Sequence, residues 1–355
     1  MHKVLLAGYI GCGNLGDDAI ALGFMSAAES LGCDFMLLSG SPDVTYNQYK
    51  IHSIPRRDMN AVDSALESCD ALVFPGGSIF QDVTSLRSVA YYSQLVKKAK
   101  KKGKKVLLLG QGVGPLNRFF GKRLAAGAFR SADAITVRDP ASMATIKALG
   151  VNRPIKVTAD CAFLLPRPGG SGDDGTSFQV GNMKTVGIST RPYGKKGEVP
   201  ALFGELCRLL FKAGYMPVLF SMDKNEDTPL IQEISASQGG KIPDIRKIAT
   251  PIEIQQRLGR MEAVIAMRLH AGILASTVGV PPLMISYDPK VDAFARQLGV
   301  GNAIPWQGIT AQRIFDQFTS FMKDRERNLV IMERKRDELA KSALDNVNVF
   351  RETMG

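Results

Sequence analysis

Short apolar runs rich in β-branched residues alternate along this chain with segments whose apolar positions recur at helical spacing. Runs at 3–8, 34–39, 71–74, 106–110 and 134–137 are bounded by Gly, Asn, Asp and Ser and read as strands, with helices between them. The strand runs are apolar on both faces rather than alternating, as in a parallel sheet covered by helices on each side. A second alternation follows at 186–190, 217–221, 263–267 and 282–286. Between the two series lies RPGGSGDDGTSFQ, a turn-forming stretch with no apolar periodicity. The expected architecture is α/β, with one Rossmann-like domain over 1–166, a linker or long loop over 167–184 and a second Rossmann-like domain over 185–322. From 323 to 355, dense mixed charge with apolar positions at helical spacing predicts a long amphipathic helix that packs back on the first domain.

A length of 355 residues with 45% apolar content is enough for two cores of ordinary size. The 35 glycines and low aromatic content suit many strand-to-helix turns better than a β-sandwich or a bundle. The five cysteines are scattered with no CxxC spacing, so neither a disulfide framework nor a zinc cluster is expected. No run reaches the roughly 18 apolar residues of a membrane span, and the N-terminal residues lack the order of a signal peptide. A soluble or peripheral protein of the cytoplasm is expected. The net charge of +11 calls for an anionic partner, for which phosphorylated metabolites, anionic lipid and nucleic acid all qualify on charge alone. The densest basic stretch, KKAKKKGKK at 97–105, falls where a helix ends and reads first as a solvated helix end, where cations complement the helix dipole, with a membrane-facing patch as the alternative.

The first strand leads into Gly11-Cys12-Gly13-Asn14-Leu15-Gly16, a literal GxGxxG. Asp17 and Asp18 would sit in the first helical turn, where they repel a pyrophosphate, and the second strand ends without an acid for a ribose hydroxyl. A dinucleotide site is therefore disfavoured. The aspartates read either as acids capping a helix or as one carboxylate held at a cleft as a general base, with Asp17 the better placed. Gly76, Gly77 and Gln81 of Pro75-Gly76-Gly77-Ser78-Ile79-Phe80-Gln81-Asp82 follow the third strand of this domain. Gln111 lies in a similar Gly-rich turn, Gly110-Gln111-Gly112-Val113-Gly114-Pro115, after the next strand. With Gly13 and Asn14 these loops are expected to line one sheet edge, where α/β proteins bind ligands.

Arg138 ends the strand of Thr136-Val137-Arg138-Asp139 and reads either as a cleft cation or as an ion-pair partner of a neighbouring acid. In the second domain, Arg268 and His270 of Met267-Arg268-Leu269-His270-Ala271-Gly272 stand where an apolar strand meets a small-residue helix, a site that favours anions. Lys290 follows the next strand, and Arg191 lies in the turn Ser189-Thr190-Arg191-Pro192-Tyr193. Arg138, Arg268, Lys290 and Arg191 could clamp a ligand that carries phosphate and carboxylate.

In their order, GNLGDDA, PGGSIFQD, GQGVGP, TVRD, TADCAFLLP, GISTRPY, RLHAG and GVPPLMISYDPK resemble the polysaccharide pyruvyl transferase family, in particular its CsaB-type bacterial members. The resemblance implies a GT-B-like pair of Rossmann-like domains facing a cleft, with the acceptor on the first and phosphoenolpyruvate on the second. It implies ketal formation on a pair of sugar hydroxyls, with no cofactor and no metal. In CsaB-type members the acceptor is a lipid-linked glycan containing N-acetylmannosamine, whose pyruvylated secondary cell wall polymer anchors S-layer proteins. Peripheral contact with the membrane is expected on that ground, and nucleic acid is not. By motif match the family's essential arginine, histidine and lysine fall on Arg138, His270 and Lys290. Pro75, where another glycine is common, and Cys161, where a small residue or proline is usual, depart from the pattern. A nucleotide-sugar glycosyltransferase shares the expected architecture and is the competing enzymatic reading; a non-catalytic sugar- or anion-binding protein is a third.

Overall fold

The computed structural model describes residues 1–83, 85–168, 179–180, 183–245 and 247–355. The chain divides into two compact units, Met1–Pro166 with Leu339–Gly355, and Arg167–Glu338.

The first unit is built on β1 (Lys3–Leu6), β2 (Asp34–Ser39), β3 (Ser53–Pro55), β4 (Ala71–Phe74), β5 (Gly77–Phe80), β6 (Lys105–Val113), β7 (Ala134–Val137) and β8 (Lys156–Val157). Its sheet runs in the order β3-β2-β1-β4-β6-β7-β8, with β5 paired to the far half of β6, and all its pairings are parallel. The connecting helices are α1 (Leu15–Ala27), α2 (Pro42–Tyr49), α3 (Met59–Ser68), α4 (Leu86–Lys101), α5 (Phe119–Ser131) and α6 (Pro140–Ala148). On α4, Val89, Tyr92, Val96 and Ala99 recur at three- and four-residue spacing and are buried, so the helix forms by laying one apolar stripe on the sheet. That stripe meets Phe74 and Phe80 from the sheet and Phe129 from α5 in one core. Chain order reverses in space between β1 and β4, which makes the carboxyl ends of these two strands the switch point where ligands bind in open α/β sheets.

The second unit repeats the plan with β9 (Gln179–Val180), β10 (Met183–Ser189), β11 (Tyr215–Phe220), β12 (Asp244–Ile245), β13 (Ala263–Ala266), β14 (Pro282–Ser286) and β15 (Ile304–Pro305). The order is β12-β11-β10-β13-β14-β15, with β9 antiparallel to β10, and the switch point falls between β10 and β13. Its helices are α7 (Glu198–Lys212), α8 (Asp227–Ser237), α9 (Pro251–Leu258), α10 (Leu269–Thr277), α11 (Pro289–Leu298) and α12 (Ala311–Lys323); the chain ends in α13 (Arg325–Met354).

Two expectations are corrected. Gly110 to Val113 do not turn: β6 runs through them to Val113, because Gly77–Phe80 adds the strand β5 alongside and gives the extension a partner, with Gly77 opposite Gln111. Gln111 is consequently 0% exposed, its Nε2 donating to the carbonyls of Phe74 and Leu109, so it braces the sheet rather than lining a cleft. The expected linker at 167–184 falls largely outside the described residues, apart from its ends and Gln179–Val180. The helix expected from 323 is α13, separated from α12 at Asp324, and its residues from Leu339 onward belong to the first unit.

Candidate functional site

At the switch point of the first unit the GxGxxG turn is filled by the chain itself. Gly11 and Gly13 take positive φ (64° and 92°), the region open to glycine at little cost, and Asn14 caps α1 by accepting from Gly16 N at 2.9 Å. Asp18 folds back: its Oδ1 accepts from Gly11 N at 2.8 Å and its Oδ2 from the Tyr49 hydroxyl at 2.9 Å. The carboxylate thus occupies the place that an anion would take in a dinucleotide fold. Burial pushes the Asp18 carboxyl up to about 6, against the pull of those two hydrogen bonds. Asp18 is a brace of the turn. Asp17 is half-buried at the surface of the same turn, beside the next Gly-rich segment: a β-carbon on Gly77 would lie 3.2 Å from Asp17 Oδ1. The structure therefore brings Asp17, Asn14, Gly13, Gly76 and Gly77 to one place. Gln81 is half-buried at the end of β5 and accepts from Val83 N.

Arg138 is 6% exposed and held from two sides, by Asp160 Oδ2 at 2.7 Å and by Ser78 Oγ at 2.8 Å. Its guanidinium lies across the backbone of Gly112, where a β-carbon would come within 2.5 Å of Nη2; this close approach requires the glycine. Arg138 is therefore compensated by a buried carboxylate and ties β7 to Ser78, the neighbour of Gly77. Asp160 is held in turn by its own helical turn, accepting from Ala162 N. That turn is stitched to the chain's last helix by Asn346, wholly buried, which donates to Ala159 O and accepts from the hydroxyls of Thr136 and Thr158.

The sequence reading missed two participants. Asn346 carried no motif; its only signal was an amide among Ala343, Val347 and Phe350 on the apolar stripe of a charged helix. Arg56 lies under Tyr9, Tyr91 and Tyr92, with its guanidinium carbon 5.5, 4.9 and 5.5 Å from their ring centres, and donates to Tyr92 Oη and Cys12 Sγ. Aromatic faces attract the cation without neutralising it. Among the described residues no carboxylate lies within ion-pair distance of Arg56.

In the second unit, Arg191, His270 and Lys290 emerge just beyond the carboxyl ends of the neighbouring strands β10, β13 and β14. His270 and Lys290 are each the second residue of a helix, α10 and α11, so two helix N-termini stand side by side with a basic group on each. Lys290 lies 3.3 Å from Asp288, the N-cap of its own helix. Arg191 Nη1 donates to Tyr287 Oη at 2.7 Å and its guanidinium stacks on that ring at 4.5 Å, while Tyr193 packs against both Tyr287 and Trp306. Arg191 Nε, Ser189 Oγ, Thr190 Oγ1 and Ser221 Oγ are buried here with no hydrogen-bond partner among the described residues. Natural proteins rarely leave such atoms unmatched, because each costs about 1–3 kcal/mol.

Arg268 departs from the expected clamp. Its guanidinium binds Asp227, which is 0% exposed, and Glu226 at 2.8 Å, and Asp227 also accepts from the backbone N–H groups of Met222 and Asp223. The Arg268 charge is spent on a buried pair that fastens the start of α8 to the start of α10.

Comparisons with known proteins bear on the fold and the family. AmsJ of Erwinia amylovora, an amylovoran biosynthesis protein, is 23% identical over 84% of this chain and 86% of its own length. Anabaena HepE, solved with UDP and glucose, superposes with a TM-score of 0.64 over 100% of this chain and 99% of its own at 13% identity. UDP-GlcNAc 2-epimerase of Neisseria meningitidis, solved with UDP-GlcNAc, gives 0.61 over 99% of each chain at 12% identity. These solved structures establish the fold as GT-B-like. The sequence model for polysaccharide pyruvyl transferases matches residues 14–289, and the chain is thereby a transferase that belongs to the polysaccharide pyruvyl transferase family.

Proposed function

We propose that this enzyme takes its pyruvyl group from phosphoenolpyruvate and closes it as a ketal on two hydroxyls of a lipid-linked cell-wall glycan precursor, as in CsaB-type members. The observation that carries the donor assignment is the second switch point. There three neighbouring strand ends present Arg191, His270 and Lys290, and buried donors of Ser189, Thr190 and Arg191 await an acceptor. A small ligand with one phosphate and one carboxylate supplies such acceptors. His270 donates a proton to the methylene carbon of the enolpyruvyl group, which becomes a methyl, and the positive charge develops at C2. One sugar hydroxyl adds to C2 and phosphate departs with the C–O electron pair. The second hydroxyl then closes the ring, and both hydroxyl protons leave to base. Asp17 takes the first of them, with Arg138 positioning the Gly77 strand beside it. Lys290 and Arg191 hold the donor's charge.

The fold neighbours solved with UDP or UDP-sugars, together with the ring cluster of Tyr193, Tyr287 and Trp306, favour one second reading, transfer from a nucleotide sugar. Steady-state kinetics separate the two. The proposal expects His270→Ala to lower kcat for phosphate release about a hundredfold or more, as removal of a positioned acid does. It expects Lys290→Ala chiefly to raise KM for phosphoenolpyruvate. Near wild-type turnover in His270→Ala, or consumption of a UDP-sugar by the wild type, would overturn it.

A further inference from the structure

The first unit carries a surface that its chemistry does not use. Helices α4 and α5 pack side by side, and neither contains an acidic residue: their sequences are LRSVAYYSQLVKKAKK and FFGKRLAAGAFRS. The cations of α4 divide by face. Lys98 and Lys102, four residues apart, pair with Asp63 and Glu67, which are also four apart on α3, at 2.6 Å each. Among the described residues Lys97 and Lys101, on the adjoining face, have no carboxylate partner, nor do Arg118, Lys122 and Arg123 around the start of α5, whereas Lys100 is held by Asp133. Between the helices runs a groove of about 720 Å³ lined by Val96, Lys97, Lys101, Phe120, Arg123 and Leu124. Phe120, which lines it, packs edge to face with the preceding Phe119, and the two are 66% and 69% exposed.

A pair of phenylalanines in water is a cost to a soluble surface, and five uncompensated cations around them make a second copy of this patch a poor partner. The occupant that suits both features is negatively charged outside and apolar within. We infer that this face docks on an anionic lipid bilayer, with Phe119 and Phe120 entering the headgroup region and Lys97, Lys101, Arg118, Lys122 and Arg123 lying over lipid phosphates. Aromatic rings favour that interface, and each nearby basic residue adds attraction to anionic lipid that fades with salt. The start of α5 is fixed in relation to the Gly-rich segment: Asp82, which ends PGGSIFQD, accepts from Asn117 N and Arg118 N at 2.8 Å each. A docked enzyme therefore holds its β4–β5 loop at a set height above the bilayer. The inference explains how a lipid-borne acceptor would be met but does not depend on that reading.

The test is co-sedimentation of the full chain with vesicles of phosphatidylcholine alone and of phosphatidylcholine mixed with phosphatidylglycerol. Binding is expected only to the mixed vesicles and should weaken as salt rises. Lys97→Glu/Lys101→Glu should weaken it by about tenfold or more, given attraction of about 1 kcal/mol per basic residue. Phe119→Ser/Phe120→Ser should weaken it at every salt concentration. All these side chains are on the surface, so circular dichroism of the variants should match the wild type. Equal binding to both vesicles, wild-type binding by either variant, or binding to short duplex DNA but not to vesicles would each overturn the inference. Phosphate release with a short water-soluble glycan keeps the two claims apart: the Phe119→Ser/Phe120→Ser variant should retain it, and vesicle binding stands even if no glycan supports turnover.

Discussion

Two adjacent aspartates in one helical turn have opposite fates, and their difference is measurable. Asp18 is buried with its carboxyl raised from 3.8 to about 6, so the folded state holds its proton more tightly than the unfolded chain does. Stability from this group is therefore lost, not gained, as pH rises from 3.8 through about 6. A shift of that size corresponds to about 3 kcal/mol. Asp18→Asn keeps an oxygen for Gly11 N and an amide that can donate to Tyr49 Oη. Denaturant unfolding should show the wild type losing ground to Asp18→Asn across that pH window; parallel curves would mean that the carboxyl titrates normally. Asp17→Asn should leave the unfolding midpoint within about 1 °C, since surface changes are nearly neutral, and lower kcat about a hundredfold. The sequence allowed either aspartate to face outward, because one residue of register in a helix rotates a side chain by a quarter turn. It leaned to Asp17, the one left at the surface, and only the folded loop showed what Asp18 binds. Arg56 was illegible for a different reason: its ring partners, Tyr9 and the consecutive Tyr91 and Tyr92, come from two segments distant from it in the chain.

At the scale of elements, buried polar contacts decide what sits beside the site. Asn346 joins the last helix to the TVRD strand and the TADC turn, and that turn presents Asp160 to Arg138. Asn346→Leu removes the acceptor of the Thr136 and Thr158 hydroxyls and the donor to Ala159 O, leaving Thr158 only Val137 O, so thermal unfolding should show a loss of about 2–4 kcal/mol. Wild-type stability in that variant would show that the network is dispensable. Arg268→Met leaves the carboxylate of Asp227 buried without its cation, for which a loss of about 3–5 kcal/mol is expected. Were Arg268 a donor ligand instead, that variant would raise KM with little change in stability. Strong strands such as Ala71–Phe74, Ala263–Ala266 and Pro282–Ser286 were plain in the apolar pattern, since burial on both faces leaves an unbroken run. The extension of β6 through Gly110 to Val113 was not: glycines argue for a turn locally, and the partner strand that overrides them comes from a segment some thirty residues earlier.

For the molecule as a whole, the alternation of strand and helix was enough to foresee two parallel-sheet units, because that pattern has few other packed solutions. The ordered motif blocks pointed to the family, and the match over residues 14–289 agrees. Composition could only raise the expectation of an anionic partner; which cations are paired with carboxylates among the described residues is a property of the fold, as Arg268 and Lys97 show from opposite sides. The most direct measurement is mass spectrometry of glycans incubated with the enzyme and phosphoenolpyruvate, with released phosphate followed in parallel. The panel should consist of N-acetylhexosamine glycans, lipid-linked ones included. The account predicts phosphate release that depends on the acceptor, together with a glycan heavier by one pyruvate ketal. Release of a nucleotide from a nucleotide sugar, with no glycan gaining that mass, would contradict it.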